Sequence, residues 1–166
     1  MIKPAILLRD CAFLSLLFTN PLLAAEQSQA LLTISGQTGA RIEASEITYD
    51  RASLEAMMTA SITTSTPWFD GISVFEGISL EELVETMGGE PTTITAIALN
   101  DYITVIPFED IQAHQPILAL KRDGQFMSIR DKGPLFIIYP YDSKPELRTH
   151  LYYSRSAWQV AKLVIE

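Results

Sequence analysis

Hydrophobic and polar positions change period several times along the chain, and each change marks an element. LLTISGQ (31–37) alternates up to a glycine and predicts a first strand. ARIEASEITYDRASLEAMM (40–58) has room for a short strand and a short helix beginning near Ser53. TASITTST (59–66) is β-branched and alternating, which predicts an extended segment running into Pro67-Trp68. In GISLEELVETMGG, Ser79 stands three residues before Glu82, the spacing of a capping box. Leu80, Leu83, Val84 and Met87 then form one helical face, and Gly88-Gly89 stops the helix. TTITAIALN (92–100) and YITVIP (102–107) predict two strands joined by a tight turn at Asn100-Asp101. FEDIQAH reads as a short helix, and PILALKRDGQFMS (116–128) as a hairpin around Asp123-Gly124, because glycine tolerates positive φ. PLFIIYP (134–140) is an apolar core strand, and LRTHLYYSRSAWQVAKLVIE (147–166) closes the chain in a strand returning to the sheet. Many short strands with about three short helices predict a mixed α+β domain.

The N-terminus follows a different rule. MIKPAILLRDCAFLSLLFTNPLLAAEQ begins with Lys3 and Arg9, continues in an apolar run from Cys11 to Leu23, and ends in Ala24-Ala25. That is the pattern of a secretory signal, placing a signal at 1–25 and one domain at 26–166. The apolar stretch falls short of the ~20 residues of a spanning helix, and Asn20-Pro21 interrupts it, so a membrane anchor is not expected. Cys11 is the only cysteine. Cleavage after Ala25 would leave no disulfide, no thiolate nucleophile and no cysteine metal ligand. It would also remove Lys3, Arg9 and Asp10, leaving 10 cationic and 19 anionic side chains. Such an acidic domain lacks the cationic footprint that nucleic acid or anionic lipid requires.

Four segments, FEGISLEELVETMG, IALNDYITVIPFEDI, ILALKRDGQFMSIRDKGPLFIIYP and SAWQVAKLVIE, occur in an order that resembles the molybdopterin-binding domain of the sulfite oxidase fold. The resemblance covers residues 31–166. It implies a mixed, barrel-like β-sheet with short helices and a cofactor pocket rimmed by STPWFDG (65–71). Two departures alter the implied chemistry. Enzymes of the family hold molybdenum through a cysteine upstream of the Trp-and-Gly segment, and here that stretch is Thr63-Thr64-Ser65. A hydroxyl is a poor substitute for a thiolate as a soft ligand. The family's Pro-Leu-Arg is here Pro134-Leu135-Phe136, which removes a cation suited to a phosphate. The chain therefore resembles a small, cysteine-lacking periplasmic branch. Such proteins bind a free pterin without molybdenum or catalysis and signal to a membrane-bound sensor that controls cyclic dinucleotide levels. Two alternatives stay open. One is a molybdopterin-dependent oxidoreductase that holds its cofactor without a cysteine ligand. The other is a protein–protein module whose pocket is filled by side chains.

The resemblance nominates pocket residues, each with an ordinary structural reading beside it. Trp68 and Phe69 either stack on a flat heteroaromatic ring or plug the core. Asp70 and Asp101 either pair bidentately with a ring N–H and exocyclic amine or simply form turns. Asn100 and Tyr102 share the second of those turns. Thr64, Ser65 and Thr66 either hydrogen-bond within the pocket or face water from a strand. Gly133 permits close backbone approach, and Lys132 either meets a ligand oxygen or is solvated. Trp158 and Tyr139 read as core, while Tyr141 reads as either core or site lining. His114 and His150 lack metal-ligand spacing, and Glu81, Glu82 and Glu85 read as a solvated, cap-supporting face. Arg148, His150, Tyr152, Tyr153 and Arg155 form either a sheet edge or a partner surface.

Overall fold

Alternation builds the first sheet of the computed structural model, which describes residues 29–37, 44–88 and 91–166. The signal expected at 1–25, with Cys11, and the helix stop at Gly89 lie outside the described residues. In β5 (Thr93–Ala98), Ile94, Ala96 and Ala98 are buried, and the alternate residues Thr93, Thr95 and Ile97 are only partly so. β5 pairs on one side with β6 (Ile103–Pro107) and on the other with β10 (Val160–Ile165), both antiparallel. β10 in turn pairs in parallel with β1 (Leu32–Gln37), whose other neighbour is antiparallel β2 (Ala44–Tyr49). A register shift between Val160 and Lys162 explains why Val160 and Leu163, three residues apart, both point into the core.

The second sheet is antiparallel throughout. Its order is β3 (Ala60–Thr66), β4 (Phe69–Ser79), β7 (Ile117–Arg122) and β8 (Gln125–Phe126), with β9 (Phe136–Ile138) also paired to β7. The apolar runs of β7 and β9 are buried on both faces, so no alternation appears in them. One face joins the main core through Leu118, Leu120 and Ile137. The other forms a smaller cluster with Ile62, Phe75, Ile117, Met127, Phe136 and Ile138. Among the described residues, four short α-helices complete the α+β fold: α1 (Arg51–Ala56), α2 (Leu80–Glu85), α3 (Phe108–His114) and α4 (His150–Arg155).

Both expected tight turns form. Asp101 adopts φ +62° between β5 and β6, and Asp123 and Gly124 adopt φ +51° and +76° between β7 and β8. Three local expectations are corrected. α1 begins at Arg51 rather than near Ser53, because the Asp50 carboxylate accepts the Ser53 N–H at 2.7 Å and caps the helix earlier. The capping box is not made. Ser79 ends β4 and makes no side-chain cap, while the Glu82 carboxylate accepts from Thr59 Oγ1 at 2.6 Å. The stretch read as sheet edge or partner surface contains a helix, α4. Its Tyr152 ring packs edge-on against Tyr139 and His114, and tertiary contact overrides the strand preference of its aromatic residues.

Candidate functional site

The tip of the β3–β4 hairpin carries Trp68. A register shift after Ser65 brings Thr66 opposite Phe69, and the Trp68 N–H donates to Thr66 Oγ1 at 3.4 Å. The half-buried Trp68 ring meets four others edge-to-face: Phe136 at 5.2 Å, Tyr153 at 5.8 Å, Trp158 at 5.9 Å and Tyr141 at 6.3 Å between centroids. Trp158 enters from the chain just before β10, where it bridges to Phe136. It too is only partly buried. The Tyr102 ring lies parallel to it within 4°, with centroids 6.5 Å apart, and Lys132 Nζ stands 4.2 Å from its ring centre. Tyr102 is anchored by its hydroxyl, which donates to the Ser154 carbonyl at 2.7 Å. Lys132 is anchored through its backbone: its carbonyl accepts the Gln159 N–H at 3.2 Å, and Gln159 Nε2 donates to the Ile129 carbonyl at 2.8 Å. No ion pair to Lys132 is found among the described residues. Arg122 differs. Its guanidinium sits 3.8 Å from the Phe69 ring centre, but Asp131 at 3.1 Å and Asp123 at 3.8 Å neutralise it.

Beside this cluster, the end of β3 is tied to the segment after β9. Asp142 accepts the Ser65 N–H at 2.8 Å and the Ser65 hydroxyl at 2.6 Å, and pairs with Arg148. The Asp142 N–H donates to Thr64 Oγ1 at 3.1 Å, and Arg148 Nε donates to the Tyr141 carbonyl at 3.2 Å. The Ser65 hydroxyl and N–H, followed by Arg148, hold the Asp142 carboxyl below its ordinary 3.8. A depressed carboxyl stabilises the fold above its unfolded pKa, and that contribution is lost as pH falls through the folded value. The stability gap between the wild type and Asp142→Ala, read as urea midpoints, is therefore expected to narrow as pH drops from 7 to about 3. A gap of constant size across that range would show that the Asp142 charge contributes nothing.

Of the residues nominated from the sequence, Trp68, Phe69, Tyr102 and Lys132 gather around Trp158 and Phe136. Asn100 and Asp101 form the turn that carries Tyr102, and Asn100 Oδ1 accepts the Tyr102 N–H at 3.3 Å. Asp70 is exposed at the start of β4. Thr64 is fully buried, with its hydroxyl oxygen bonded to Asp142 N and donating to the Ser65 carbonyl. Gly133 does provide a close approach, and Met127 fills it: a Cβ there would lie 2.1 Å from the Met127 carbonyl oxygen. Tyr139 and Tyr141 are both buried, and burial pushes both phenols up. The Tyr141 hydroxyl bonds to Ser156, whereas the Tyr139 hydroxyl has no partner among the described residues. Sequence reasoning passes over Arg122 and Asp142, places Tyr153 in a sheet edge or partner surface, and reads Trp158 as core, which holds in part, since Trp158 packs on the smaller cluster but is only partly buried. Polar Ser154, Ser156 and Gln159 around Trp158 were the available signal that its ring reaches the surface.

A separate cleft of about 560 Å³ opens between β3, α2 and the end of α3. Glu81, Glu82 and Glu85 lie on one side, with His114 and Lys144 also in its lining. Lys144 Nζ can only donate, so His114 Nδ1 accepts from it at 3.3 Å and Nε2–H faces the Tyr152 hydroxyl at 3.1 Å.

Among the described residues, no group of three or more His, Cys, Asp or Glu is placed to hold a metal ion. No helix among them is long and apolar enough to cross a membrane. No protein-family model matches the chain, and no curated protein matches it significantly.

Proposed function

We propose that this chain is a pterin-binding protein of the sulfite oxidase fold type. It is exported to the periplasm, has no redox catalysis of its own, and reports its bound state to a membrane-bound sensor. The observation that carries this reading is the partly exposed Trp158, with Tyr102 parallel to it and, over its ring, Lys132, which has no ion pair among the described residues. A flat, electron-poor heteroaromatic ring gains most from such a surface, through stacking and a nearby cation for its carbonyl oxygen. The Asp101 carboxylate, exposed in the turn next to Tyr102, has the chemistry to accept a ring N–H and an exocyclic amine together. Thr64 and Ser65, in the place of the family's cysteine, have their hydroxyls engaged with Asp142 and the backbone, which favours the organic ring over a metal-bearing cofactor.

The test is a titration of the full chain with an oxidised pterin, followed by quenching of tryptophan fluorescence. Trp158→Ala is expected to raise the Kd roughly 5- to 150-fold, the effect of about 1–3 kcal/mol of lost aromatic stacking. Wild-type affinity in that variant would remove Trp158 from the site. Stoichiometric molybdenum in the purified protein would favour the oxidoreductase instead.

A further inference from the structure

Strand register is normally fixed by which side chains are buried, and a one-residue slip exchanges the two faces. That device works at the start of β3, where buried Ile62 lies opposite buried Phe75. It fails toward the tip. Ser65 lies opposite Ile72, which is 68% exposed, and exposed Thr63 lies opposite Val74. On the inner face, Thr64 is opposite Ser73, and both are buried and polar. Between Ile62 and Trp68, therefore, no apolar side chain of β3 pins the strand. A register shift also falls there, between Ser65 and Thr66, where the chain can take up or release a residue.

What stands at this point instead is Asp142. Its carboxylate takes both donors of Ser65, and its N–H reaches Thr64. Arg148 bonds that carboxylate and the Tyr141 carbonyl, so the segment that grips β3 is itself held. Tyr141 also packs against the Trp68 ring, so the two ends of the clamp meet at the indole. We infer that Asp142 is a positioning residue for the aromatic site. By fixing Thr64 and Ser65 it sets the register of the hairpin tip, and with it the place of Trp68 beside Trp158. A surface ion pair alone contributes little, so the Asp142–Arg148 contact does not account for this role. The bonds to β3 carry it. The effect on affinity rests on the pterin reading above, whereas the effect on Trp68 does not.

The experiment uses the full chain labelled with fluorotryptophan, whose two tryptophans give two fluorine resonances. Asp142→Ala is expected to displace or broaden the Trp68 resonance more than that of Trp158, with an unchanged far-ultraviolet spectrum. The Kd for the oxidised pterin is expected to rise at least about tenfold. Asp142→Asn keeps an acceptor for the Ser65 N–H while losing the charge toward Arg148, so it is expected to restore most of the wild-type signal. Ser65→Ala removes one bond to β3 and serves as the second variant should Asp142→Ala fail to fold. It is expected to displace the Trp68 resonance less than Asp142→Ala. A Trp68 resonance unmoved in both Asp142→Ala and Ser65→Ala overturns the inference. So does an Asp142→Asn variant that behaves like Asp142→Ala, since the surface charge would then be the cause. A Trp68 resonance that moves in a protein whose wild type binds no pterin leaves the positioning role standing and removes the pterin reading.

Discussion

Gly77→Ala is expected to cost the fold more than about 4 kcal/mol, or to prevent folding. Gly77 lies in β4, where the strand passes β7. A Cβ built on it would lie 2.1 Å from the Leu118 carbonyl oxygen and 2.7 Å from the Ala119 Cα. Overpacking in a core usually costs about 1–3 kcal/mol because side chains can rotate away. Here the obstructing atoms are backbone, and they belong to a strand paired with β4, β8 and β9. β7 cannot retreat without breaking those ladders. The irregularity between Glu76 and Gly77 in the β4–β7 register marks the same crowding. Gly71→Ala provides the contrast. No described residue comes within 4 Å of a Cβ at Gly71, but its φ is +74°, so the expected cost is only the ~1–2 kcal/mol of a left-handed backbone. Urea denaturation of both variants tests the pair. A Gly77→Ala protein within about 1 kcal/mol of wild type would mean that β4 and β7 do not approach as described.

The parts of this architecture that could be read from the chain are those governed by neighbours in sequence. The alternation in TITAIA marked β5, and Asn100-Asp101 and Asp123-Gly124 marked turns because few residues accept positive φ. The apolar run PLFIIYP marked β9 as a core strand. What failed was decided at longer range. The Ser79–Glu82 spacing is that of a capping box, but Ser79 is held as the last residue of an 11-residue strand and Glu82 is drawn to Thr59, 23 positions away. The helix α4 was hidden because its tyrosines favour strands until Tyr139 and His114 offer them edge contacts. The site divides in the same way. Trp68 announces itself by following proline in a polar stretch, and Lys132 by preceding glycine and proline. Trp158 reads as core because the apolar strand VAKLVI follows it, although Ser156 and Gln159 flank it. Asp142 is one acidic residue among 20, and its partner Ser65 is 77 positions away.

Trp68→Ala is expected to lower stability by about 3 kcal/mol and to weaken pterin binding as well. Trp68 packs against both apolar clusters, whereas Trp158 packs against the smaller one alone. Its ring is the common neighbour of Phe136, Tyr141, Tyr153 and Trp158. Removing it opens a void between the two cores as well as a gap in the site, and large-to-small changes of this kind carry a cavity cost beyond the lost transfer energy. Loss of binding in Trp68→Ala is therefore not evidence of ligand contact by itself. The informative quantity is the comparison with Trp158→Ala, each measured where the variant is fully folded by its own urea curve. Trp158→Ala is expected to lose affinity with a smaller loss of stability, about 1–2 kcal/mol. A Trp68→Ala protein as stable as wild type but unable to bind would make Trp68 a ligand contact and would refute its role in joining the clusters. Equal stability losses in the two variants would show that the two tryptophans support the fold to the same degree.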